Sequence, residues 1–348
     1  MSTLLDVNHL KKYYVLSGEG ASGVPGLDWL MSKFKGIQGE TTVLHAVDDV
    51  SFQIAAGESL GLVGESGCGK STLVAMLSRL SDASDGSIVF NGKDIGAVPA
   101  RVFHAEPERT EIQIVFQDPH ESLNPRFTSF DTIAEPLRRL KGISDAAELR
   151  KQVERVAEQV DLPLQLLGRF PHQLSGGQKA RVNIARAIAV SPKLLILDEP
   201  TSALDVSVQA VILKLLVQLK RDLGMSYLFV SHDLNVVRLL CDRVIVMYLG
   251  QIVESGATED IFTRPAHPYT KALISAIPKS DPGGDLRVRL NGDPKSPVNP
   301  DPDMCRFYGR CPSGEPRCGR IAPPRVDVAP DHYTVCHFAK PGLSGEDT

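Results

Sequence analysis

The sequence predicts an α/β fold with a mainly parallel sheet flanked by helices. Short apolar runs of strand type alternate with longer segments of helical type. The run Ser59–Val63 is followed by a glycine loop and a helix over Lys70–Leu80. Strands return at Leu194–Leu197 and Tyr227–Val230, with a helix over Val206–Leu223 between them. Strands that are separated by helices favour parallel pairing through crossover connections.

Length and composition limit the class of protein. The 348 residues provide room for one large domain and an appendage, and 42% hydrophobic with 23% charged residues is ordinary for a globular chain. A formal charge of -4 gives no basic footprint for nucleic acid, so we expect no nucleic-acid partner. No apolar run is long enough to span a bilayer, and Asp6 and Lys11 interrupt the start, so we expect a cytosolic chain.

Further segments predict the internal organisation. Residues 4–14 and 43–63 are predicted as short strands around an insertion at about 17–40. Apolar residues at helical spacing predict a small amphipathic helix in that insertion, packed on its own domain in preference to a membrane or partner. Residues of about 120–190 are predicted to be mostly helical. A hairpin is predicted over residues 244–254, around Leu249-Gly250.

The segment Gly64–Ser71 matches the pattern G-x-x-x-x-G-K-S of a phosphate-binding loop. A strand precedes it and a helix follows it, which is the context that this loop requires. Its glycines allow backbone N–H groups to face phosphates at the start of the helix. Lys70 is expected to reach the β- and γ-phosphates, and the Ser71 hydroxyl to bind Mg²⁺.

Acidic and polar residues follow other predicted strands. Asp198 and Glu199 end an apolar strand, where they are expected at the carboxyl edge of the sheet. Asp198 suits Mg²⁺ binding, and Glu199 suits polarisation of an attacking water. Gln117 and His232 each follow a strand as well, and are expected to contact metal or water and the γ-phosphate.

Taken together, these motifs resemble the nucleotide-binding subunit of an ABC transporter over nearly the whole chain. The resemblance implies an ABC-type ATPase domain over 1–260, with an antiparallel β subdomain and a helical subdomain at about 120–190. It implies three catalytic residues, namely Lys70, Glu199 and His232. The motifs correspond to Walker A (Gly64–Ser71), the Q-loop (Gln117), the signature (Leu174–Gln178), Walker B (Leu194–Glu199), the D-loop (Ser202–Asp205) and the switch histidine (His232).

The resemblance also implies the ligand contacts. Mg²⁺ would be held by Ser71, Gln117 and Asp198, and Tyr14 would stack on adenine, with Tyr13 as the alternative. The residues expected to bind ATP within one chain are Tyr14, Gly64, Glu65, Ser66, Gly67, Cys68, Gly69, Lys70, Ser71, Thr72, Gln117 and Asp198.

The signature motif implies partners. In this family two subunits sandwich two ATP molecules, so Ser175, Gly176, Gly177 and Gln178 would act in trans on the partner's nucleotide. The second ATPase subunit would be the same chain or a related one. Two transmembrane permease subunits and, indirectly, a substrate-binding protein would complete the transporter, which places this chain peripherally on the cytoplasmic face of the membrane.

Several details resemble the oligopeptide/dipeptide importers in particular, including Phe116–Pro119, Ser122–Arg126 and His267–Thr270. That group carries a carboxy-terminal extension, here expected over 261–348. Uptake of di- or oligopeptides is therefore the expected function. Importers for nickel, glutathione or opines are the alternatives, and a soluble ABC ATPase outside transport is less favoured.

The extension is rich in cysteine. Four cysteines follow a segment dominated by Pro, Gly and Asp at 280–303, which predicts a linker. Their spacing lacks the paired C-x₂-C of common zinc sites. The family resemblance implies a four-iron, four-sulfur cluster, with zinc as the alternative and disulfides disfavoured in the cytosol. The expected ligands are Cys305, Cys311, Cys318 and Cys336.

Overall fold

A computed structural model describes residues 2–16, 42–277, 288, 290, 292 and 296–342, and the following description is confined to them. The predicted insertion helix at about 17–40 lies outside the described residues. The strands, in chain order, are β1 (Thr3–Leu16), β2 (Thr42–Ala55), β3 (Ser59–Val63), β4 (Asp85–Phe90), β5 (Lys93–Asp94), β6 (Ile112–Val115), β7 (Leu194–Asp198), β8 (Ser226–Val230), β9 (Arg243–Tyr248), β10 (Gln251–Ala257), β11 (Arg325–Ala329) and β12 (His332–Val335).

Helices connect most of these strands. The described α-helices are α1 (Lys70–Leu77), α2 (Glu108–Glu111), α3 (Pro119–Ser122), α4 (Ser129–Lys141), α5 (Ala146–Gln159), α6 (Gly176–Ile188), α7 (Val206–Leu223), α8 (Leu234–Leu240), α9 (Thr258–Thr263) and α10 (Pro268–Ser275).

The described strands form two sheets. The larger has the order β11-β12-β10-β9-β3-β8-β7-β6, and its segment from β9 to β6 is parallel. The smaller is antiparallel, with the order β2-β1-β4-β5. The predicted α/β class, the mainly parallel sheet and the antiparallel β subdomain are therefore confirmed. The predicted hairpin is also present, as the antiparallel pair β9 and β10.

The parallel strands are buried on both faces, which explains their uninterrupted apolar sequences. In β7, Leu195 and Leu197 pack with the helical residues on one face of the sheet. Leu194 and Ile196 pack on the other face, with α1 and the antiparallel sheet. The larger sheet therefore separates two hydrophobic cores among the described residues, and its strand ends are fixed from both sides.

Between β6 and β7 the chain forms the helical subdomain. Helices α4, α5 and α6 are N-capped by Thr128, Asp145 and Ser175, whose side chains each accept a hydrogen bond from a backbone N–H in the first turn. Such N-caps satisfy donors that the helix itself leaves unpaired. The predicted helical character of residues 120–190 is thus realised as several short, individually capped helices.

The carboxy-terminal extension adds to the larger sheet. β12 pairs with β10, and the fully buried carboxylate of Glu254 accepts hydrogen bonds from the N–H of Ala266 and of His267. The ring of His332 in β12 lies 2.8 Å from the same carboxylate. A buried carboxylate requires such partners, so Glu254 ties the extension to the core.

His267 is the N-cap of α10, and its ring must be neutral to accept the capping hydrogen bond. Its Nδ1 accepts a hydrogen bond of 3.0 Å from the N–H of Tyr269, and burial lowers the pKa of His267 from 6.5 to about 4. Glu254 opposes this shift and Lys271 adds to it. Between pH 6.5 and pH 4 the unfolded chain therefore binds more protons at this site than the native chain.

Lowering the pH should consequently destabilise the protein through His267. We expect the free energy of unfolding to fall by about 3 kcal/mol between pH 6.5 and pH 4 from this residue alone. His267→Asn, which keeps a neutral cap, should remove most of that dependence in urea unfolding at several pH values. The exposed control His104→Asn should retain it. An equal pH dependence in His267→Asn and the wild type would contradict the assignment.

Candidate functional site

The parallel register places the ends of several strands at one edge of the sheet. Val115 of β6 pairs with Leu197 of β7, and Asp198 pairs with Val230 of β8. Val230 pairs in turn with Leu62 of β3, directly before the glycine loop. Residues that are far apart in sequence therefore emerge next to each other.

The glycine loop has the conformation that its sequence predicts. Gly67 and Gly69 have φ angles of 77° and 108°, which side-chain-bearing residues rarely adopt. A Cβ atom at Gly69 would overlap the backbone oxygen of Ala46, whereas a Cβ at Gly67 would meet no atom within 4 Å. Gly69 is also the residue from which α1 begins, so the first N–H groups of the helix point out of the loop.

Lys70 is held inside this loop. Its ammonium group is buried and donates hydrogen bonds of 2.7 Å to the carbonyl of Gly64 and 3.0 Å to that of Glu65. Cys68 is buried, and burial raises the pKa of its thiol. The loop thus offers one ammonium and a set of backbone donors, which is a site for phosphate.

Three sequence-predicted residues meet at Glu199. The amide nitrogen of Gln117 donates a hydrogen bond of 3.1 Å to Oε2 of Glu199, and Nδ1 of His232 lies 3.0 Å from the same oxygen. Glu199 has a φ of 46°, a left-handed backbone conformation that is rare for residues other than glycine. Strain of this kind is typical of functional sites.

Asp198 stands beside this cluster. Burial raises the pKa of its carboxyl, the negative charge of Glu199 raises it further, and Lys70 acts in the opposite direction. Asp198, Glu199, Gln117, His232 and Ser71 line a common cleft of about 890 Å³. This cleft is continuous in its lining residues with a second one, of about 430 Å³, over the glycine loop.

Of the two tyrosines that the sequence indicated, Tyr14 lines the second cleft. The Tyr13 hydroxyl donates a hydrogen bond to Asp48 instead, and the ring centroids of Tyr13 and His45 lie 4.1 Å apart. Ser296 and Pro297 complete the wall, although they belong to the segment predicted as a linker. No motif marks these two residues, because their proximity depends on pairing with β2.

The signature residues lie apart from these clefts. Among the described residues that line either cleft, none comes from Leu174–Gln178. Ser175 caps α6, and its backbone N–H donates a hydrogen bond of 2.9 Å to Oε1 of Gln178. The start of α6 therefore lies away from the glycine loop of the same chain.

The predicted metal site in the extension is wrong for this structure. Among the described residues, no group of three or more His, Cys, Asp or Glu is placed to hold a metal ion. The four tail cysteines line a cavity of about 10 Å³. Burial raises the pKa of Cys305 to about 11 and raises those of Cys311 and Cys336 as well. The prediction of an iron–sulfur cluster, or of zinc as its alternative, at Cys305, Cys311, Cys318 and Cys336 is therefore wrong for the described residues.

Two family models match the chain. Residues 47–202 match the ABC transporter family, and residues 253–318 match the carboxy-terminal region of oligopeptide/dipeptide transporters. The first match covers the glycine loop, Gln117, the signature and the Asp198-Glu199 pair. The second lies on the segment that contacts the clefts from the carboxy-terminal side.

Whole-length relatives agree with these matches. The oligopeptide transport ATP-binding protein AppF of Bacillus subtilis is 40% identical over 97% of this chain and 97% of its own length. The oligopeptide transport ATP-binding protein OppF of Haemophilus influenzae is 44% identical over 84% of this chain and 88% of its own.

Solved structures with the same fold include ATP-binding cassettes. A dimeric, post-hydrolysis state of the cassette MJ0796 bound to ADP and Pi superposes with a TM-score of 0.61, at 26% identity over 73% of this chain and 99% of the cassette. CbiO1 of Clostridium perfringens, part of the ABC transporter complex cbiONQ, gives a TM-score of 0.60 at 29% identity, over 76% of this chain and 92% of its own.

The two loop glycines provide a matched test of the site. Gly69→Ala should lower the free energy of unfolding by about 3 kcal/mol or more and abolish ATP binding, because the new Cβ overlaps backbone. Gly67→Ala should cost only about 1 kcal/mol of backbone strain. Thermal unfolding and titration with a fluorescent ATP analogue measure both effects. Equal behaviour of the two variants would contradict the loop geometry.

Proposed function

Because the chain belongs to the ABC transporter ATPases of the oligopeptide/dipeptide type, we propose that it powers uptake of di- or oligopeptides through partner membrane subunits. The relatives named for oligopeptide transport support the choice of solute, since their similarity includes the extension. The ATPase itself acts on ATP, and the solute is selected elsewhere in the transporter.

The convergence on Glu199 carries the proposal. Gln117, Glu199 and His232 come from different connecting segments and meet within 3.1 Å at the mouth of the glycine loop. A carboxylate that is oriented by two side chains beside a phosphate site is suited to polarise a water molecule for attack on the γ-phosphate. We assign this role to Glu199, and positioning of Glu199 and the γ-phosphate to His232.

ATP would lie across the two connected clefts. Its phosphates would accept hydrogen bonds from the backbone of Gly64–Ser71 and Thr72, and from the ammonium group of Lys70, which would leave the loop carbonyls. Tyr14 would face the adenine from the opposite end of the cleft. The binding energy would thus be distributed along the whole nucleotide.

The donor set fits Mg²⁺. The Ser71 hydroxyl, the Gln117 amide and the Asp198 carboxylate line one cleft and offer oxygen ligands. Mg²⁺ keeps several waters and takes phosphate oxygens, so few protein ligands suffice. Bound there, the ion would neutralise charge on the transferred phosphoryl group.

A second ATPase subunit would complete each site. The signature helix begins away from its own glycine loop, so Ser175, Gly176, Gly177 and Gln178 would face the nucleotide of the partner subunit. The N-terminus of α6 offers backbone N–H groups and a favourable dipole to a γ-phosphate there. ATP binding would close the pair, and hydrolysis with product release would open it.

Membrane subunits would convert this movement into transport. Within the part of the chain that the structure describes, no helix is long and apolar enough to cross a membrane. We therefore propose a peripheral position on the cytoplasmic face, bound to two permease subunits that receive peptide from a substrate-binding protein. The surface around Gln117 and residues 118–130 would contact those permeases.

Replacement of the catalytic carboxylate separates binding from hydrolysis. Glu199→Gln should leave ATP binding intact and lower the turnover of the assembled transporter at least about a hundredfold, because the base is lost. Glu111→Gln, at the opposite end of β6, should keep full turnover. Phosphate release by the assembled complex measures both. Normal hydrolysis by Glu199→Gln would overturn the assigned base.

The solute is tested on the assembled transporter. Purification of the chain from membranes with its bound subunits, followed by reconstitution in vesicles, permits direct uptake measurements. ATP-dependent accumulation of a labelled oligopeptide would support the proposal. Accumulation of nickel, glutathione or an opine in its place, or purification without membrane subunits, would overturn it.

A further inference from the structure

A segment of the extension contacts both strand β2 and the glycine loop. The segment 305–311 contains a short 3₁₀ turn at Tyr308–Arg310. On one side Arg306 pairs with Asp48 of β2, which also accepts the Tyr13 hydroxyl. On the other side Arg310 reaches the glycine loop.

Arg310 forms a bidentate salt bridge with Glu65, the second residue of that loop. Its two terminal nitrogens donate hydrogen bonds of 2.7 Å and 3.0 Å to the two carboxylate oxygens of Glu65. A third bond of 3.3 Å goes to the Tyr248 hydroxyl, and Nε donates to the carbonyl of Gly292. The Arg310 side chain is 10% exposed and that of Glu65 28%. Partial burial strengthens a pair of this geometry.

Glu65 is fixed by its backbone as well. Its N–H donates a hydrogen bond of 2.8 Å to the hydroxyl of Tyr269, in α10. Its carbonyl accepts one of the bonds from Lys70. In this structure the Lys70 ammonium is therefore held partly by the same residue that Arg310 contacts.

Three aromatic rings pack together next to this contact. The rings of Tyr248, Tyr269 and Phe307 lie with centroids 4.7 Å to 5.5 Å apart, and the Arg310 guanidinium lies 5.8 Å from the Tyr248 ring centre. Tyr248 belongs to β9, whereas Tyr269 and Phe307 belong to the extension. Nearby, residue 298 forms a bridge to Leu44 of β2. The extension is thus packed directly against strands β9 and β2.

The charge of Glu65 explains why a partner is needed. An unpaired carboxylate in the loop would repel the phosphates of ATP, which carry several negative charges. Arg310 compensates that charge and directs the carboxylate away from the cleft side of the loop.

We propose that Arg310 is a positioning residue for nucleotide binding, which neutralises Glu65 and fixes the phosphate loop in the form that receives ATP. This inference rests on the proposed binding of ATP at that loop. It assigns a function to the extension in the ATPase cycle: the folded extension sets the affinity for ATP. By reciprocity, bound ATP stabilises the docked extension.

A charge-rescue series on the full-length chain tests the proposal. Arg310→Ala should raise the Kd for MgATP about tenfold, within the usual range of coupling between sites. Glu65→Gln in the Arg310→Ala background should restore the Kd to within about threefold of wild type, because the unpaired charge is gone. Arg317→Ala, in the same extension but paired with Glu315, is the matched control and should leave the Kd unchanged.

Kinetics in the assembled complex and hydrogen exchange provide independent readouts. Arg310→Ala should raise KM for ATP with kcat within about twofold, since the Glu199 cluster is untouched. ATP should slow amide exchange at 305–311 in the wild type but not in Arg310→Ala. If Arg310→Ala does not fold, Arg310→Gln takes its place with the same expectations.

Specific results would overturn the inference. These are an unchanged Kd in Arg310→Ala, a loss that Glu65→Gln fails to rescue, or an equal loss in Arg317→Ala. Absence of ATP binding by the wild type, with Lys70→Ala no different from it, would instead refute the proposed function itself. The two failures are therefore distinguishable.

Discussion

The positions of the residues that line the two clefts depend on the parallel register of four buried strands. Because β6, β7, β8 and β3 run in the same direction and pair without slippage, the residues that follow each strand appear at one edge of the sheet. A slip of a single residue would exchange the side chains of a strand between the two faces of the sheet, and the two different cores on those faces oppose such a slip. Burial on both faces thus fixes the positions of the groups that we propose to be catalytic.

At this edge of the sheet, two neighbouring carboxylates lie in different surroundings. Asp198 is buried enough for its pKa to rise, whereas Glu199 is oriented by Gln117 and His232. The left-handed backbone at Glu199 separates the two neighbouring carboxylates into different surroundings. One is suited to a cation, and the other to a water molecule beside the phosphate.

The carboxy-terminal extension is integrated with the ATPase instead of being a separate appendage. β12 continues the larger sheet, and Glu254 anchors the segment before α10. Arg306 contacts Asp48 of β2, and Arg310 contacts Glu65 of the glycine loop. A domain boundary near residue 261 remains a prediction, but the sheet is continuous across it. Changes in the extension can therefore reach the phosphate loop through a few direct contacts.

The sequence by itself determined the fold class and indicated many of the residues that line the clefts, because glycine loops, apolar strands and the acidic pair depend on local chemistry. It could not place Ser296, Pro297 or Arg310, since their positions follow from packing between segments more than two hundred residues apart. It also misled about the tail cysteines, where four thiols in sequence suggested a metal site. Only the tertiary structure decided these points, because burial and pairing arise after the chain has folded.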